Sequence, residues 1–497
     1  MKHRLLRSSL CVSLLMAAGF AQQDGFKEIQ KQIAEFTLKN GLKFIVLPRH
    51  DAPIVSFHTY VAIGAVNESR TITGLAHIFE HLAFKGTSNL GTKDYKKEKP
   101  LLDALDKAWE AWRAEQMNLH PDSSKLASLR QAFDKAEIAA SDQNDSEEFG
   151  RAIEQNGGVG LNASTSSDET QYYFSLPSNK LELWFSLESA RFYDPVIRDF
   201  YKEKNVVMEE RRLRTESNPI GKMIEEVLSV AYKSHPYKDP VVGHMSDLQG
   251  ITRAEATEFY KKYYVPQNMI IAIVGDVEVN EVKRLAEVYF GRIPAGKKSD
   301  PVRTVEPPQN GERRVVLKEQ SQPVIILGYK KGSVSDPDDA VYDAIGDILS
   351  AGRSSRLYKS LVKEKKIAIQ AGGFGGFPGN KYPNLFLFFA FPAQGKTNDE
   401  CLAAFETEID KLKNDLVSPE ELQAVKTRAK ANLIRSLNSN GGLAAGLASN
   451  EGLMGDWREL FKGLEKINAV TREDIQRVAK STFVNNNRAI GMIESAK

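Results

Sequence analysis

His77 and His81 stand four residues apart, with Glu80 between them. On a helix that spacing puts both imidazoles on one face, one turn apart, with Glu80 beside His81. Imidazole nitrogen is a preferred zinc ligand at about 2.0–2.1 Å, and a catalytic zinc keeps one position for water. A carboxylate next to such a water can take its proton. These residue types at this spacing therefore point to hydrolysis by a metal-activated water, with His77 and His81 as ligands and Glu80 as general base. The blander reading is two core histidines and a solvated glutamate. Gly74 ahead of the segment, Phe84-Lys85-Gly86-Thr87 behind it, and the apolar Ile78, Leu82 and Ala83 favour a helix that presents all three.

A third protein ligand is needed. The best candidate helix is Asp199 to Thr215, where Glu203, Val206, Val207 and Glu210 recur at i, i+3, i+4 and i+7. Val206 and Val207 are expected to turn inward and carry both glutamates toward the interior, where a carboxylate needs a partner. Glu209 faces elsewhere and fits a solvent salt bridge. Periodicity alone leaves Glu210 a candidate ligand and no more.

The elements that hold these residues follow from an internal duplication. Residues 252–268 (TRAEATEFYKKYYVPQN) and 471–487 (TREDIQRVAKSTFVNNN) both open on Thr-Arg, and both place an acid three residues after the threonine. That is a capping-box pattern at a helix start. Each unit then runs into an apolar strand, Met269 to Val274 or Ala489 to Ile493. The starts correspond as well: residues 44–61 and 315–329 each read as two strands broken by a proline. In the first unit the next helix carries the histidines; in the second it is Asp339 to Leu349, which has none. The expected fold class is α+β: two homologous domains, each a mostly antiparallel sheet packed with helices. The catalytic domain is placed at residues 22–292, a proline-rich extended linker at 293–312, and a domain without a metal site at 313–497. Residues 94–148 have no counterpart in the second unit. Leu101, Leu102, Leu105, Ala108, Trp109 and Trp112 form an apolar stripe there, and Pro121-Asp122 suggests a turn, so a helical-hairpin insertion packed on the body is expected. Gly372 to Gly376 lacks phosphate-loop spacing and reads as a flexible connection between strands.

Composition narrows the class. The 497 residues are 41% hydrophobic and 27% charged, ordinary for a globular protein. Lys2, Arg4 and Arg7 precede a short apolar run, Ser8 to Ala18, and Gly19-Phe20-Ala21 offers a cleavage site, so residues 1–21 read as a signal peptide and the chain as periplasmic or secreted. Without those three cations the net charge of +2 becomes −1, which leaves no basic surplus for nucleic acid. No later segment is long and apolar enough to span a membrane. Cys401 would then be the sole cysteine, which excludes an internal disulfide.

The sequence resembles the pitrilysin/insulinase family of zinc metallopeptidases, in particular bacterial members of the mitochondrial processing peptidase type. The motifs are GLAHIFEHLAFKGT (74–87), GGVGLNASTSSDETQYY (157–173), EKNVVMEE (203–210) and GRSSRLYKSLVKEKKIA (352–368). The resemblance implies an inverted His-x-x-Glu-His site holding one Zn2+ per chain, with His77, His81 and Glu210 as ligands, Glu80 as the catalytic base and Glu203 as a supporting acid. It implies that Asn162 and Ala163 lie on the strand edge where a peptide substrate adds as a strand. The implied function is a zinc-dependent endopeptidase acting on peptides or small unfolded polypeptides. The alternative is a catalytically silent structural or peptide-binding subunit of a larger complex.

One departure bears on partners. The family's opposing half carries an Arg and a Tyr seven apart that hold substrate; here those positions are Val362 and Ile369, which cannot donate from their side chains. A two-subunit chamber is expected, with a homologous subunit supplying the pair. A heterodimer is favoured, and a homodimer is open if other residues do the clamping. The insertion at 94–148, between the histidine helix and the peptide-pairing strand, is expected to edge the chamber entrance.

Overall fold

The computed structural model describes residues 26–496. The expected signal segment lies outside the described residues. Two mixed sheets organise the chain. The first contains β1 (Ala34–Thr37), β2 (Lys43–Pro48), β3 (Ile54–Val61), β4 (Val159–Thr165), β5 (Thr170–Pro177) and β6 (Met269–Gly275), in the order β1-β2-β6-β3-β5-β4. The second contains β7 (Arg313–Glu319), β8 (Val324–Lys331), β9 (Ala368–Phe377), β10 (Asn384–Pro392) and β11 (Arg488–Ser495), in the order β7-β11-β8-β10-β9. Apart from β1 the two orders correspond strand for strand. Each sheet has one parallel pair, β2 with β6 and β7 with β11, and is otherwise antiparallel.

The repeated motif closes each sheet in the same way. Thr252 caps the helix Arg253–Tyr263 in a capping box with Glu255, and Thr471 caps Arg472–Thr482 in a capping box with Asp474. Each helix ends in a short turn at an asparagine whose side-chain amide reaches back five residues: Asn268 Nδ2 to the Tyr263 carbonyl at 2.8 Å, and Asn487 Nδ2 to the Thr482 carbonyl at 2.9 Å. That bond fixes the angle at which the chain enters β6 or β11.

Each sheet is sandwiched by helices from both halves. On one face of the first sheet, Phe57 stacks on Trp184 of the helix Leu181–Tyr193, with ring centres 4.4 Å apart. On its other face Ile45, Tyr60, Ala272 and Val274 meet Leu443 and Leu447 of the helix Asn440–Met454, which belongs to the second half. The arrangement is reciprocal. The helix Pro219–Ala231 of the first half lays Met223 and Val227 on the second sheet, among Val324, Ile326, Ala489 and Ile493. A Cβ on Gly491 would collide with both Val227 and Met223, so only glycine lets this helix approach β11.

Residues 294–310 form no regular element. This stretch is nevertheless pinned: the Glu306 carboxylate accepts the backbone N–H groups of Lys233, Ser234 and His235 at 2.8–3.1 Å and the Lys330 ammonium at 2.9 Å. Glu306 thereby ties the stretch to both halves.

The insertion is a hairpin of two helices, Tyr95–Gln116 and Ser123–Ser141, the second capped by Asp122. Leu102, Leu105 and Trp109 are buried and Leu101, Ala108 and Trp112 pack against the same core, as their spacing predicts. Gly372 to Gly376 are not a flexible connection. They lie inside β9, where Phe386 and Phe388 press on Gly373 and Phe389 on Gly372, so the absent side chains make room for aromatic rings.

Candidate metal centre

The histidine helix spans Leu75–Leu82. Gly74, at φ +92°, turns the chain into it, and a Cβ there would meet the Val242 carbonyl at 2.8 Å. The helix start is held by Glu68, whose carboxylate accepts the N–H groups of Gly74 and Ala76, each at 2.7 Å. Burial drives the Glu68 pKa up to about 8, against the opposing pull of those two N–H donors. Glu68 carries no sequence signal, because its partners lie in the next element's backbone. Leu75, Ala76, Ile78, Phe79 and Leu82 are buried, which fixes the rotation of the helix and turns His77 and His81 to one side.

The second helix spans Phe200–Arg211. Glu203, Val207 and Glu210 lie on its inner side; Val206 does not turn inward but is 44% exposed. The buried face is rotated toward Phe200, Lys204 and Arg211 relative to the four-residue pattern, which leaves Val206 beyond its edge.

His77, His81 and Glu210 come together: one ligand atom from each lies within 4.8 Å of the others. His77 Nε2 is 3.6 Å from one Glu210 oxygen and His81 Nε2 is 3.7 Å from the other. Ligand atoms on a tetrahedral zinc with bonds of about 2.0–2.1 Å are roughly 3.3–3.4 Å apart, so each of these two imidazole–carboxylate distances needs to close by only a few tenths of an ångström. The two rings are nearly perpendicular, with centroids 5.0 Å apart. Two imidazoles and one carboxylate, with a fourth position left for water, are the donor set of a catalytic zinc site. The residues fit the ion.

The electrostatics suit the same role. Burial, with the nearby positive potential of His81 and Arg214, lowers the His77 pKa to about 3 and keeps the ring in its neutral, ligating form. His77 Nδ1 is buried without a protein hydrogen-bond partner among the described residues, and Nε2 is the ring atom that faces the Glu210 carboxylate. His81 is oriented differently. Its Nδ1 lies 3.3 Å from Glu203, which leaves Nε2 turned to Glu210. Burial opposes charge on His81, but Glu203 outweighs it and raises the pKa. Glu203 is buried too, yet His81 and the Lys85 ammonium, 2.8 Å from its other oxygen, hold it ionised below the usual carboxylate range. Lys85 is thus the third member of a relay, Lys85–Glu203–His81, of which the sequence singled out only the last two. Glu210 also pairs with Arg214, an exposed side chain in the π-helical turn Arg212–Glu216 that follows. Glu80 is half-buried on the histidine helix, near enough for its charge to act on His81, Tyr172 and Tyr264.

Asn162 and Ala163 lie on β4, the open edge of the first sheet, against which the histidine helix packs. The Ala163 N–H is engaged by the Asn162 side-chain oxygen at 2.9 Å. In the second half, Ile369 on the edge strand β9 is 62% exposed, and Val362 packs against the core. His235 is structural: its Nδ1 accepts the Tyr237 N–H at 3.1 Å.

This geometry agrees with the comparisons. Residues 44–103 and 135–244 match the model of the insulinase family, peptidase family M16, and residues 250–429 match that of the peptidase M16 inactive domain. The chain belongs to the M16 (insulinase, or pitrilysin) family of zinc metallopeptidases. It is 28% identical over 494 residues to the zinc protease PqqE of Helicobacter pylori, covering 97% of each chain. Its fold is similar to the crystal structure of a protease from Helicobacter pylori, with a TM-score of 0.78 and 26% identity over 93% of this chain and 99% of that one. It also resembles the periplasmic protease PqqL of Escherichia coli in fold, with a TM-score of 0.68 and 17% identity; there 94% of this chain covers 48% of that one. The first match skips residues 104–134, the middle of the helical hairpin.

Proposed function

We propose that this chain is a zinc-dependent endopeptidase that cleaves peptides or small unfolded polypeptides. The observation that carries the reading is the convergence of His77, His81 and Glu210 from two helices, with Glu80 on the histidine helix. His77 and His81, through Nε2, and Glu210 would hold one Zn2+. When bound, the ion would supply a Lewis acid for a water molecule and for the scissile carbonyl. Glu80 takes the proton of that water and returns it to the leaving amine. Glu203 holds the Nδ1 proton of His81 and so presents Nε2 to the site. The peptide backbone adds along β4, where Ala163 gives its N–H once the Asn162 side chain turns away, and Asn162 binds beside it. Pairing through the backbone accepts varied sequences.

The catalytic domain comprises residues 22–292, the linker 293–312 and the metal-free domain 313–497, with residues 1–21 removed on export to the periplasm or beyond. The periplasmic PqqL, whose chain is about twice as long, supports both that location and a working unit of two such chains. A homologous subunit would complete the chamber.

Metal analysis and a peptide-cleavage assay test the reading. The purified chain should hold one zinc, lose cleavage to a chelator and regain it on adding zinc. Glu80→Gln should keep the zinc and lose about 10²–10⁴-fold in turnover. A zinc-loaded wild type, assembled with its partner, that cleaves no faster than Glu80→Gln would establish the silent-subunit alternative instead.

A further inference from the structure

One layer behind the metal ligands lies a pair of charges with no exposed surface, Arg198 and Glu98. The guanidinium is bidentate on the carboxylate, Nε to Oε1 at 2.7 Å and Nη2 to Oε2 at 3.0 Å. Its remaining donors go to three backbone carbonyls: Nη1 to Lys85 at 2.5 Å and to Leu90 at 3.0 Å, and Nη2 to Thr87 at 2.7 Å. Three segments meet at this point. Glu98 lies in the first turn of the insertion, residues 85–90 are the loop that leaves the histidine helix, and Arg198 immediately precedes the helix of Glu203 and Glu210.

The rest of the insertion grips the same helix. Asp199, which opens it in a left-handed conformation at φ 53°, accepts from Asn144 Nδ2 at 2.8 Å and from the Ser146 hydroxyl. Tyr201 donates its hydroxyl to Asp106 at 3.0 Å, and the Lys204 ammonium lies 4.3 Å above the Trp109 ring. Asp106 and Trp109 both fall in the span that the insulinase family match skips.

We propose that the helical insertion is an internal brace of the metal centre, with Arg198 and Glu98 as positioning residues that set the spacing between the histidine helix and Glu210. The proposal rests on the metal reading above. The route is short: Lys85, whose carbonyl Arg198 holds, gives its ammonium to Glu203, and Glu203 orients His81. A buried ion pair is commonly no more stabilising than the apolar residues that could replace it. Its contribution here is geometric: five donors in a rigid fork define three backbone positions at once.

The test is zinc affinity, read by competition with a chelating dye at 25 °C, alongside circular dichroism and peptide kinetics. The double variant Glu98→Leu/Arg198→Leu removes both charges together and leaves neither buried alone. It should remain folded and bind zinc about tenfold more weakly, with kcat reduced and KM changed less than twofold. Arg198→Lys keeps the charge but not the fork and should fall between the two. Lys125→Ala, which removes the exposed lysine that pairs with Glu115 at the far end of the hairpin, should leave affinity unchanged. Folded variants with wild-type zinc affinity overturn the brace alone; should the double variant not fold, Arg198→Lys decides. A wild type that takes up no zinc overturns the metal reading, and the brace with it.

Discussion

Glu203 and Glu210 are seven residues apart on one helix and face the same histidine pair, yet the geometry gives them different work. Glu210 presents both oxygens to the Nε2 atoms, whereas Glu203 reaches only the far side of His81. Substituting each by glutamine separates the roles. Glu210→Gln should abolish stoichiometric zinc binding, because a neutral amide is a poor ligand. Glu203→Gln should retain a site weakened about 10–100-fold, the usual cost of losing an outer partner of a metal-bound histidine. Dye competition on the two folded variants checks both; equal affinities would remove the distinction. At this scale the sequence was legible where chemistry forces a spacing: His77, Glu80 and His81 declare themselves because a helix turn does. Glu68, Lys85 and Arg198 were not legible as parts of the site. Each acts on a backbone group or a carboxylate from another segment, and nothing in its own neighbourhood marks that partner.

Among the elements, repetition made the strands and closing helices readable. Thr252 and Thr471 cap corresponding helices, and the asparagines that end both motifs make the same five-residue bond. Long-range packing was not readable. Nothing local to Asn440–Met454 says that it covers the first sheet, and Gly491 looks like any strand glycine until Val227 and Met223 are placed against it. Gly491→Val should therefore overpack this junction and cost about 1–3 kcal/mol, seen as a lower midpoint in urea. The linker makes a prediction with a defined pH dependence. Burial raises the Glu306 pKa, but three backbone N–H groups and Lys330 outweigh it and hold the value at about 2, against an ordinary 4.5. A depressed carboxylate contributes its stability in full above the ordinary value and loses it as the pH falls toward 2. Glu306→Gln should thus cost about 1–2 kcal/mol at pH 7, allowing for partial solvent screening, and the gap to wild type should close between pH 4.5 and 2. Thermal melts across that range measure it. A gap of constant size would show that Glu306 acts by shape and not by charge.

At the scale of the whole molecule, the two halves share one topology but not one chemistry. The helix Asp339–Ser350 occupies the place of the histidine helix and brings no imidazole, so the second half cannot hold the same ion. Nor does it carry the polar pair expected opposite a substrate: Ile369 projects from the edge strand β9, and Val362, partly buried, packs against the core, and neither side chain can donate a hydrogen bond. A peptide laid along β4 is then held on one side only, and one-sided pairing of an extended strand orders the peptide without enclosing it. The expected outcome is that the zinc-loaded chain alone cleaves peptides with a high KM, and that adding a homologous subunit bearing the Arg/Tyr pair lowers KM by at least an order of magnitude while leaving the zinc content unchanged, because the new contacts bind substrate rather than metal. Native mass spectrometry of the complex purified from its own cells, read beside the kinetics, decides the matter: a species containing only copies of this chain, with a low KM, would mean that residues other than Val362 and Ile369 do the holding.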